Sequence, residues 1–134
     1  MHPGRLLLVD QNDDFLDGLC SLLEKDPGLK VLGRAHTARE AIERAREMQP
    51  DLVLLDLSLP DLNGFKVVPW LKALDPRPLV VVMSFHASRA AELAALAVGA
   101  DACISKTDTP NVLLYTLQDL LWPESPLARA TRSG

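Results

Sequence analysis

The amino-acid sequence predicts an α/β domain built on a doubly wound parallel sheet, and three observations support that fold class. Short apolar runs alternate with amphipathic segments of helical length, which is the pattern of repeated strand–helix–strand units. The 134 residues correspond in length to one domain. With 48% apolar residues, a chain of this size can build a core without disulfides or a structural metal.

Five predicted strands follow one another along the chain. Each is a short apolar run with a helix-length segment between it and the next run. The runs are Leu6–Val9, Lys30–Gly33, Leu52–Leu55, Leu79–Met83 and Ala102–Ser105. This alternation predicts that the strands lie parallel.

The segments between the runs have the spacing and the end signals of crossover helices. The first repeats its apolar residues at helical spacing, as Phe15, Leu16, Leu19, Leu22 and Leu23. Asn12 is placed to cap this helix, and Asp26–Gly28 is expected to end it. Thr109 and Pro110 are expected to open the last helix, because a proline at the first helical position loses no hydrogen bond. Pro69 falls inside the third helix, where its missing amide predicts a kink.

The composition argues against several classes of protein. Fourteen Lys plus Arg against 18 Asp plus Glu give a net charge of −4, whereas nucleic-acid-binding domains usually carry a basic excess. Cys20 and Cys103 lack metal-ligand spacing and are expected to be reduced core residues. The longest apolar run outside the strands, Leu93–Ala100, is far shorter than the ~20 residues that span a bilayer. The N-terminal run is too short for a signal peptide, so we expect a cytoplasmic protein without direct nucleic-acid or membrane binding.

The composition changes near the C-terminus. Residues 1–122 carry the periodic pattern, whereas residues 123–134 are rich in Pro, Ser and Arg and have little periodicity. We therefore expect one domain over 1–122, followed by a flexible tail or the start of a linker over 123–134.

Polar side chains follow four of the predicted strands, at the point where each strand ends. The first strand runs into Asp10 and Gln11, the third into Asp56, the fourth into Ser84 and the fifth into Lys106. The carboxyl ends of parallel strands meet at one edge of a sheet, where ligands bind near a switch in strand order. Two carboxylates and an amide oxygen suit Mg²⁺, which prefers oxygen ligands. A lysine and a hydroxyl suit phosphoryl oxygens.

Three longer segments resemble the receiver domain of two-component response regulators, and the resemblance covers roughly residues 5–121. Asp51–Gly64 resembles the phosphoacceptor segment of that family almost position for position. Val80–Ser84 is similar to its fourth strand with the terminal hydroxyl, and Gly99–Lys106 to the approach to its lysine. The resemblance implies a flavodoxin-like receiver fold, with a five-stranded sheet in the order 2-1-3-4-5 flanked by five helices.

The resemblance also implies a role for each residue at the sheet edge. Asp56 would accept a phosphoryl group from a phosphohistidine on a sensor histidine kinase or a phosphotransfer protein. Lys106 would pair with one phosphoryl oxygen, and Ser84 would hydrogen-bond another and so switch an interaction surface. The cofactor would be Mg²⁺, held by Asp10, Gln11, Asp56 and the backbone carbonyl of Ser58. The chain would then be a phosphoacceptor signalling domain and not an enzyme with turnover.

Four positions depart from the pattern of that family. Gln11 stands where a second metal-binding acid is usual, so Mg²⁺ is expected to bind weakly. Phe85 occupies the place of a small residue that leaves the site open. Cys103 replaces an aromatic residue that moves with the switch hydroxyl. Thr107 replaces a proline, which leaves the isomer of the Lys106–Thr107 bond open.

Several alternatives follow from the same residues. A degenerate pseudo-receiver would bind a partner without a phosphoryl switch. A haloacid-dehalogenase-like phosphatase is less favoured, because that class needs an acid–base Asp where this chain has Ser58. Gln11 could instead hydrogen-bond the start of the following helix. His86 could overhang the site or could simply be a surface histidine. Lys106, as a lysine at a strand end, is expected to contribute little to packing.

The fourth helix, fifth strand and fifth helix are expected to form an interaction surface, which a second copy of the chain could use. The two helices carry more apolar residues than one inward stripe requires. These residues are Leu93, Leu96, Val98, Val112, Leu113, Leu114, Leu117, Leu120, Leu121 and Trp122. Alternatively, both helices are deeply buried and these residues are core.

Overall fold

Strands and helices alternate strictly along the chain in the computed structural model, which describes residues 3–85, 88–108 and 110–123. The strands are β1 (Gly4–Val9), β2 (Leu29–Ala35), β3 (Leu52–Asp56), β4 (Leu79–Ser84) and β5 (Ala102–Ser105). The helices are α1 (Asp13–Glu24), α2 (Ala38–Met48), α3 (Gly64–Lys72), α4 (Arg89–Ala97) and α5 (Pro110–Leu121). This order confirms the predicted βα alternation.

All four strand pairings are parallel, and the sheet order is β2-β1-β3-β4-β5. The doubly wound fold and the strand order are therefore confirmed. Several strands are longer than the apolar runs that predicted them, because backbone pairing continues through polar residues. Asp56 pairs with Met83 and Ser84 with Ser105, so both polar residues belong to the ladder itself.

The sheet is buried on both sides by two separate layers of helices. Leu7, Val53 and Val80 belong to a core cluster that also includes residues of α2, α3 and α4. The alternate strand residues, such as Leu8 and Leu54, pack with α1 and α5 on the other side. β3 lies at the centre of the sheet and every one of its residues is buried, which explains its continuous apolar run.

The predicted helix ends agree with the structure where it describes them. The Asn12 side chain accepts a hydrogen bond from the backbone N–H of Phe15 at 3.1 Å and caps α1. α1 ends at Glu24, before Asp26–Gly28. α5 begins at Pro110, whereas Thr109 lies outside the described residues.

The remaining sequence expectations are resolved, left untested or outside the described residues. Pro69 lies inside α3, which continues to Lys72; the kink stays a prediction. The Lys106–Thr107 bond is trans, and the cis peptide bond within the described residues is Asp75–Pro76. His86 and residues 124–134 lie outside the described part of the chain. Among the described helices, each is too short or too polar to cross a membrane.

Candidate functional site

Two buried carboxylates mark the carboxyl edge of the sheet, at the switch in strand order between β1 and β3. Asp10 follows β1 and Asp56 ends β3, and they are 1% and 3% exposed. The Asp10 Oδ1 atom accepts a hydrogen bond from the backbone N–H of Asn12 at 2.9 Å. The Asp56 Oδ1 atom accepts one from the backbone N–H of Ser58 at 3.1 Å. The sequence placed both aspartates at this edge, and the structure brings them together there.

One lysine serves both carboxylates. The backbone N–H of Lys106 donates to the Ser84 carbonyl at 2.9 Å, which anchors the lysine beside the end of β4. Its Nζ lies 2.5 Å from Asp10 Oδ2 and 3.3 Å from Asp56 Oδ1. Because one buried cation faces two buried anions, the cluster keeps one excess negative charge that an incoming cation can offset.

Two aromatic rings flank the same lysine. The Lys106 Nζ atom lies 4.5 Å from the centroid of the Phe15 ring and 4.8 Å from that of the Phe85 ring. The lysine side chain is only 4% exposed, so the expectation that it contributes little to packing is wrong. Phe15 is one of the apolar residues that repeat at helical spacing in α1, and its position in the first turn after Asp10 was the signal that it also reaches the site.

The environment of Asp56 favours its protonated form. Burial raises the pKa of Asp56 above its ordinary value of 3.8, and the charge of Asp10 raises it further. The hydrogen bond from Ser58 and the charge of Lys106 act in the opposite direction and lower this pKa. The ionised carboxylate is therefore held in a place where charge is costly, which is typical of functional groups.

Gln11 makes a contact that neither sequence alternative foresaw. Its Nε2 atom donates a hydrogen bond to the Ser58 carbonyl oxygen at 2.8 Å. The helix start that Gln11 was suggested to bind is capped by Asn12 instead. The Ser58 carbonyl, an expected metal ligand, therefore accepts an N–H in this structure, and a metal ion at that oxygen would compete with Gln11.

The oxygen atoms at this edge are suitable ligands for a hard cation. Asp10 and Asp56 supply carboxylate oxygens, Ser58 a carbonyl oxygen and Gln11 an amide oxygen, which are the ligand types that Mg²⁺ prefers. Across the described residues, no group of three or more His, Cys, Asp or Glu side chains has the placement of a metal site. The set is therefore suited to a cation that keeps several waters.

The site opens into a cleft of about 610 Å³. Its lining residues are Asp10, Gln11, Asn12, Asp13, Asp14, Asp56, Ser58, Phe85 and Lys106. Ser84 ends β4 half-buried, next to this cleft in sequence through Phe85. At the rim, Asp13 lies 2.7 Å from His36 Nε2, and this hydrogen bond lowers the pKa of Asp13 and raises that of His36.

The departure at Cys103 and the expected interaction surface are also placed. Cys103 is half-buried, and burial raises the pKa of its thiol. On α4 and α5 the exposed apolar residues are Leu93, Leu96, Val112 and Tyr115. Leu113 and Leu117 are buried, and Val98, Leu114, Leu120, Leu121 and Trp122 pack partly buried against the two core clusters. The predicted apolar surplus is therefore partly core and partly exposed.

A family model and curated relatives match this chain over most of its length. A model of the response regulator receiver domain matches residues 6–118. The nitrate/nitrite response regulator protein NarL of Escherichia coli strain K12 is 31% identical over 129 residues, which are 96% of this chain and 60% of NarL. The protein-glutamate methylesterase/protein-glutamine glutaminase of Rhizobium etli is 35% identical over 105 residues, which are 78% of this chain and 30% of that protein. The chain thus spans only part of the length of these relatives.

Solved structures show the same fold. The LuxR-family two-component response regulator from Aurantimonas sp. SI85-9A1 has a TM-score of 0.85 and 27% identity, covering 98% of this chain and 99% of that one. A CheY-like receiver domain protein from Methanospirillum hungatei JF-1 has a TM-score of 0.78 and 28% identity over the same shares. By sequence and by fold, the chain belongs to the response regulator receiver domain family of two-component signal transduction.

Proposed function

We propose that this chain is a phosphoacceptor that takes a phosphoryl group onto Asp56 from a phosphohistidine of a sensor histidine kinase or phosphotransfer protein. An Asp56 carboxylate oxygen would attack phosphorus, the P–N bond to the imidazole would break, and an acyl phosphate would remain on Asp56. The observation that carries the proposal is the buried Asp10–Lys106–Asp56 cluster, with Lys106 Nζ 2.5 Å and 3.3 Å from the two carboxylates.

The charges of this cluster suit phosphoryl transfer, which depends on positioning and charge neutralisation. Lys106 would move from the carboxylates to a phosphoryl oxygen. Ser84, at the end of β4, would hydrogen-bond another phosphoryl oxygen and so couple the site to β4 and β5. These movements would supply the switch of the interaction surface.

Mg²⁺ would be held by Asp10, Asp56, the Ser58 carbonyl and Gln11. When bound, it would offset negative charge on the phosphoryl oxygens. Gln11 brings no negative charge, and its N–H occupies the Ser58 carbonyl at 2.8 Å. Both features weaken the attraction for the ion.

The same contact favours a second candidate function, a pseudo-receiver that binds a partner without a phosphoryl switch. Gln11 satisfies the Ser58 carbonyl, and Lys106 pairs with both carboxylates, so the cluster is held together by protein contacts alone. A haloacid-dehalogenase-like phosphatase remains a weaker candidate, because Ser58 stands where an acid–base Asp is needed. Steady turnover of a phosphate ester would support that enzyme over either signalling role.

The proposed partner surface combines α4, β5 and α5. Its exposed apolar side chains are Leu93, Leu96, Val112 and Tyr115, which favour association with a second copy or another protein. We place the receiver at residues 1–122 and a tail or linker at 123–134, with no direct nucleic-acid contact by this domain. Sedimentation at high concentration, with and without beryllofluoride as a phosphoryl mimic, tests self-association; a strictly monomeric species in both would exclude the homodimer.

The deciding experiment for the function is the intact mass after incubation with acetyl phosphate and Mg²⁺. Wild type should gain one phosphoryl group, and Asp56→Asn should gain none. Asp75→Asn, an acid-to-amide change at an exposed aspartate outside the site, is the matched control and should be labelled like wild type. An unlabelled wild type, with its fold intact, would favour the pseudo-receiver, and a labelled Asp56→Asn would place the acceptor elsewhere.

A further inference from the structure

The ammonium of Lys106 lies close to the faces of two phenyl rings that come from different parts of the chain. Phe15 belongs to the first turn of α1, and Phe85 is the residue after β4. The two ring centroids are 4.5 Å and 4.8 Å from Nζ, within the range where the negative face of an aromatic ring attracts a cation. The rings and the two aspartates together surround the ammonium.

Core packing does not account for the place of Phe85. The residue is 62% exposed, so burial contributes little to holding its ring in place. Exposed Trp70 on α3 has the same 62% exposure but lies on an outer helix, away from the cleft that Phe85 lines. What distinguishes Phe85 is its contact with the lysine of the cluster.

We propose that Phe85 is a positioning residue that acts through Lys106: together with Phe15 it forms an aromatic cage that holds the ammonium at the two carboxylates. This inference rests on the proposed phosphoacceptor function. The rings exclude water from the ammonium. Because they carry no formal charge, they hold the lysine less tightly than a further carboxylate would and so leave it able to move. The lysine can then move from Asp10 to a phosphoryl oxygen on Asp56 without first losing a water shell, which is the advantage of a preorganised site.

The cage itself can be tested without any phosphorylation. Protons above an aromatic ring shift upfield, and the chain has only five lysines, so the side-chain CεH₂ signal of Lys106 can be identified by its absence in Lys106→Arg. In the unphosphorylated wild type this signal should lie upfield of the other four. Phe85→Leu should move it downfield but not to the position of a free lysine, because Phe15 remains. Phe85→Tyr, which keeps the ring, should leave it shifted, and Trp70→Leu should not affect it.

The positioning role is tested by phosphorylation kinetics with acetyl phosphate and Mg²⁺. Phe85→Leu should lower the maximal rate by about three- to ten-fold, the size expected for loss of one cation–π contact, without raising the half-saturating concentration of the donor. Phe85→Tyr should restore the rate, and Trp70→Leu should keep it. A merely steric role predicts the opposite, a maximal rate that Phe85→Leu leaves unchanged or raises.

Three outcomes would overturn the inference: no upfield shift of Lys106 in wild type, the same shift in Phe85→Leu, or an undiminished maximal rate in that variant. If wild type takes up no phosphoryl group, the proposed function fails and the positioning role fails with it. The lysine signal would still decide whether the cage exists, so the two failures remain distinguishable.

Discussion

Two lysine–aspartate clusters lie at opposite edges of the same sheet, and they differ in charge balance. At the amino edge, Lys72 Nζ lies 2.7 Å from Asp101 Oδ2 and also donates to the Pro78 carbonyl, and Asp101 accepts the backbone N–H of Val80. One cation there meets one anion, and both side chains keep some solvent contact, at 19% and 26% exposure. At the carboxyl edge, Lys106 meets two aspartates, and all three side chains are at most 4% exposed.

An ion pair alone therefore does not indicate function. The amino-edge pair ties α3 to the starts of β4 and β5, and its hydrogen bonds are satisfied. The carboxyl-edge cluster is buried with an excess negative charge, which costs stability. Such a cluster is stabilised when a cation binds or a carboxylate is neutralised, and this is the property that a phosphoacceptor with a divalent ion requires.

The largest difference between the two clusters is expected in the loss of stability when each lysine is replaced in turn. Lys106→Ala leaves two buried carboxylates without a cation and should lower the free energy of unfolding by about 3–5 kcal/mol. Lys72→Ala leaves a partly exposed aspartate that water can reach and should cost about 1–2 kcal/mol. Urea unfolding of both variants and of wild type measures the difference. Equal losses would show that burial and charge imbalance at Lys106 have no energetic weight.

The raised pKa of Asp56 should appear in the pH dependence of the free energy of unfolding. This dependence is measured with EDTA present, so that no metal ion occupies the site. Because the pKa of Asp56 is raised from 3.8, the folded state binds its proton more tightly than the unfolded state does. Stability therefore falls as pH rises from about 3.8 through the raised pKa, and Asp56→Asn should remove this loss and be the more stable protein at neutral pH.

Asp13 serves as a control, because its pKa is shifted in the opposite direction from that of Asp56. The hydrogen bond from His36 lowers its pKa, so its contribution is present above about 3.8 and is lost as pH falls through the lowered pKa. Asp13→Asn should therefore lose stability at neutral pH relative to wild type. Urea midpoints between about pH 2.5 and 8, which extend below the ordinary carboxyl range, compare the variants. A parallel profile for Asp56→Asn and wild type would contradict the effect of burial.

Introducing an acid at position 11 should increase the excess negative charge at the carboxyl edge and so tighten Mg²⁺ binding. Gln11→Asp adds a negative charge and removes the N–H that occupies the Ser58 carbonyl. A unit charge at ~4 Å is worth about 4 kcal/mol at an effective dielectric of 20, but desolvation cancels much of it; we expect roughly ten-fold tighter Mg²⁺ binding and faster phosphorylation. Amide shifts during Mg²⁺ titration measure the affinity, with Gln11→Asn as the neutral control. Equal affinities in Gln11→Asp and wild type would exclude Gln11 from the metal site.

The smallest effect is expected at the balanced pair. Asp101→Asn keeps an oxygen that accepts the N–H of Val80 and weakens only the charge interaction with Lys72. It should cost about 0.5–1 kcal/mol and leave Mg²⁺ affinity and the labelling of Asp56 as in wild type. Urea unfolding and intact mass test both parts. A change in labelling would mean that the two edges of the sheet are coupled.

Features of this protein that depend on neighbouring residues could be predicted from the sequence. Apolar runs and helical spacing reflect burial along one element, so they predicted the five strands, and caps such as Asn12 and Pro110 predicted where helices begin. The ends of parallel strands share an edge, so the meeting of Asp10, Asp56 and Lys106 could also be predicted. The strand order came from the resemblance of whole segments, since local pattern does not specify it.

The contacts between side chains within that edge depend on the tertiary structure and could not be predicted. Gln11 reaches the Ser58 carbonyl 47 positions away, and Phe15 and Phe85 approach Lys106 from two other elements. The position of Phe15 soon after Asp10 in the chain places it near this edge, but the sequence does not specify the contacts themselves, because they depend on side-chain reach and on how α1 and the residue after β4 lie over the sheet. The same holds for Lys72 and Lys106, because only packing makes the first a member of a balanced ion pair and the second a member of a buried cluster with excess negative charge.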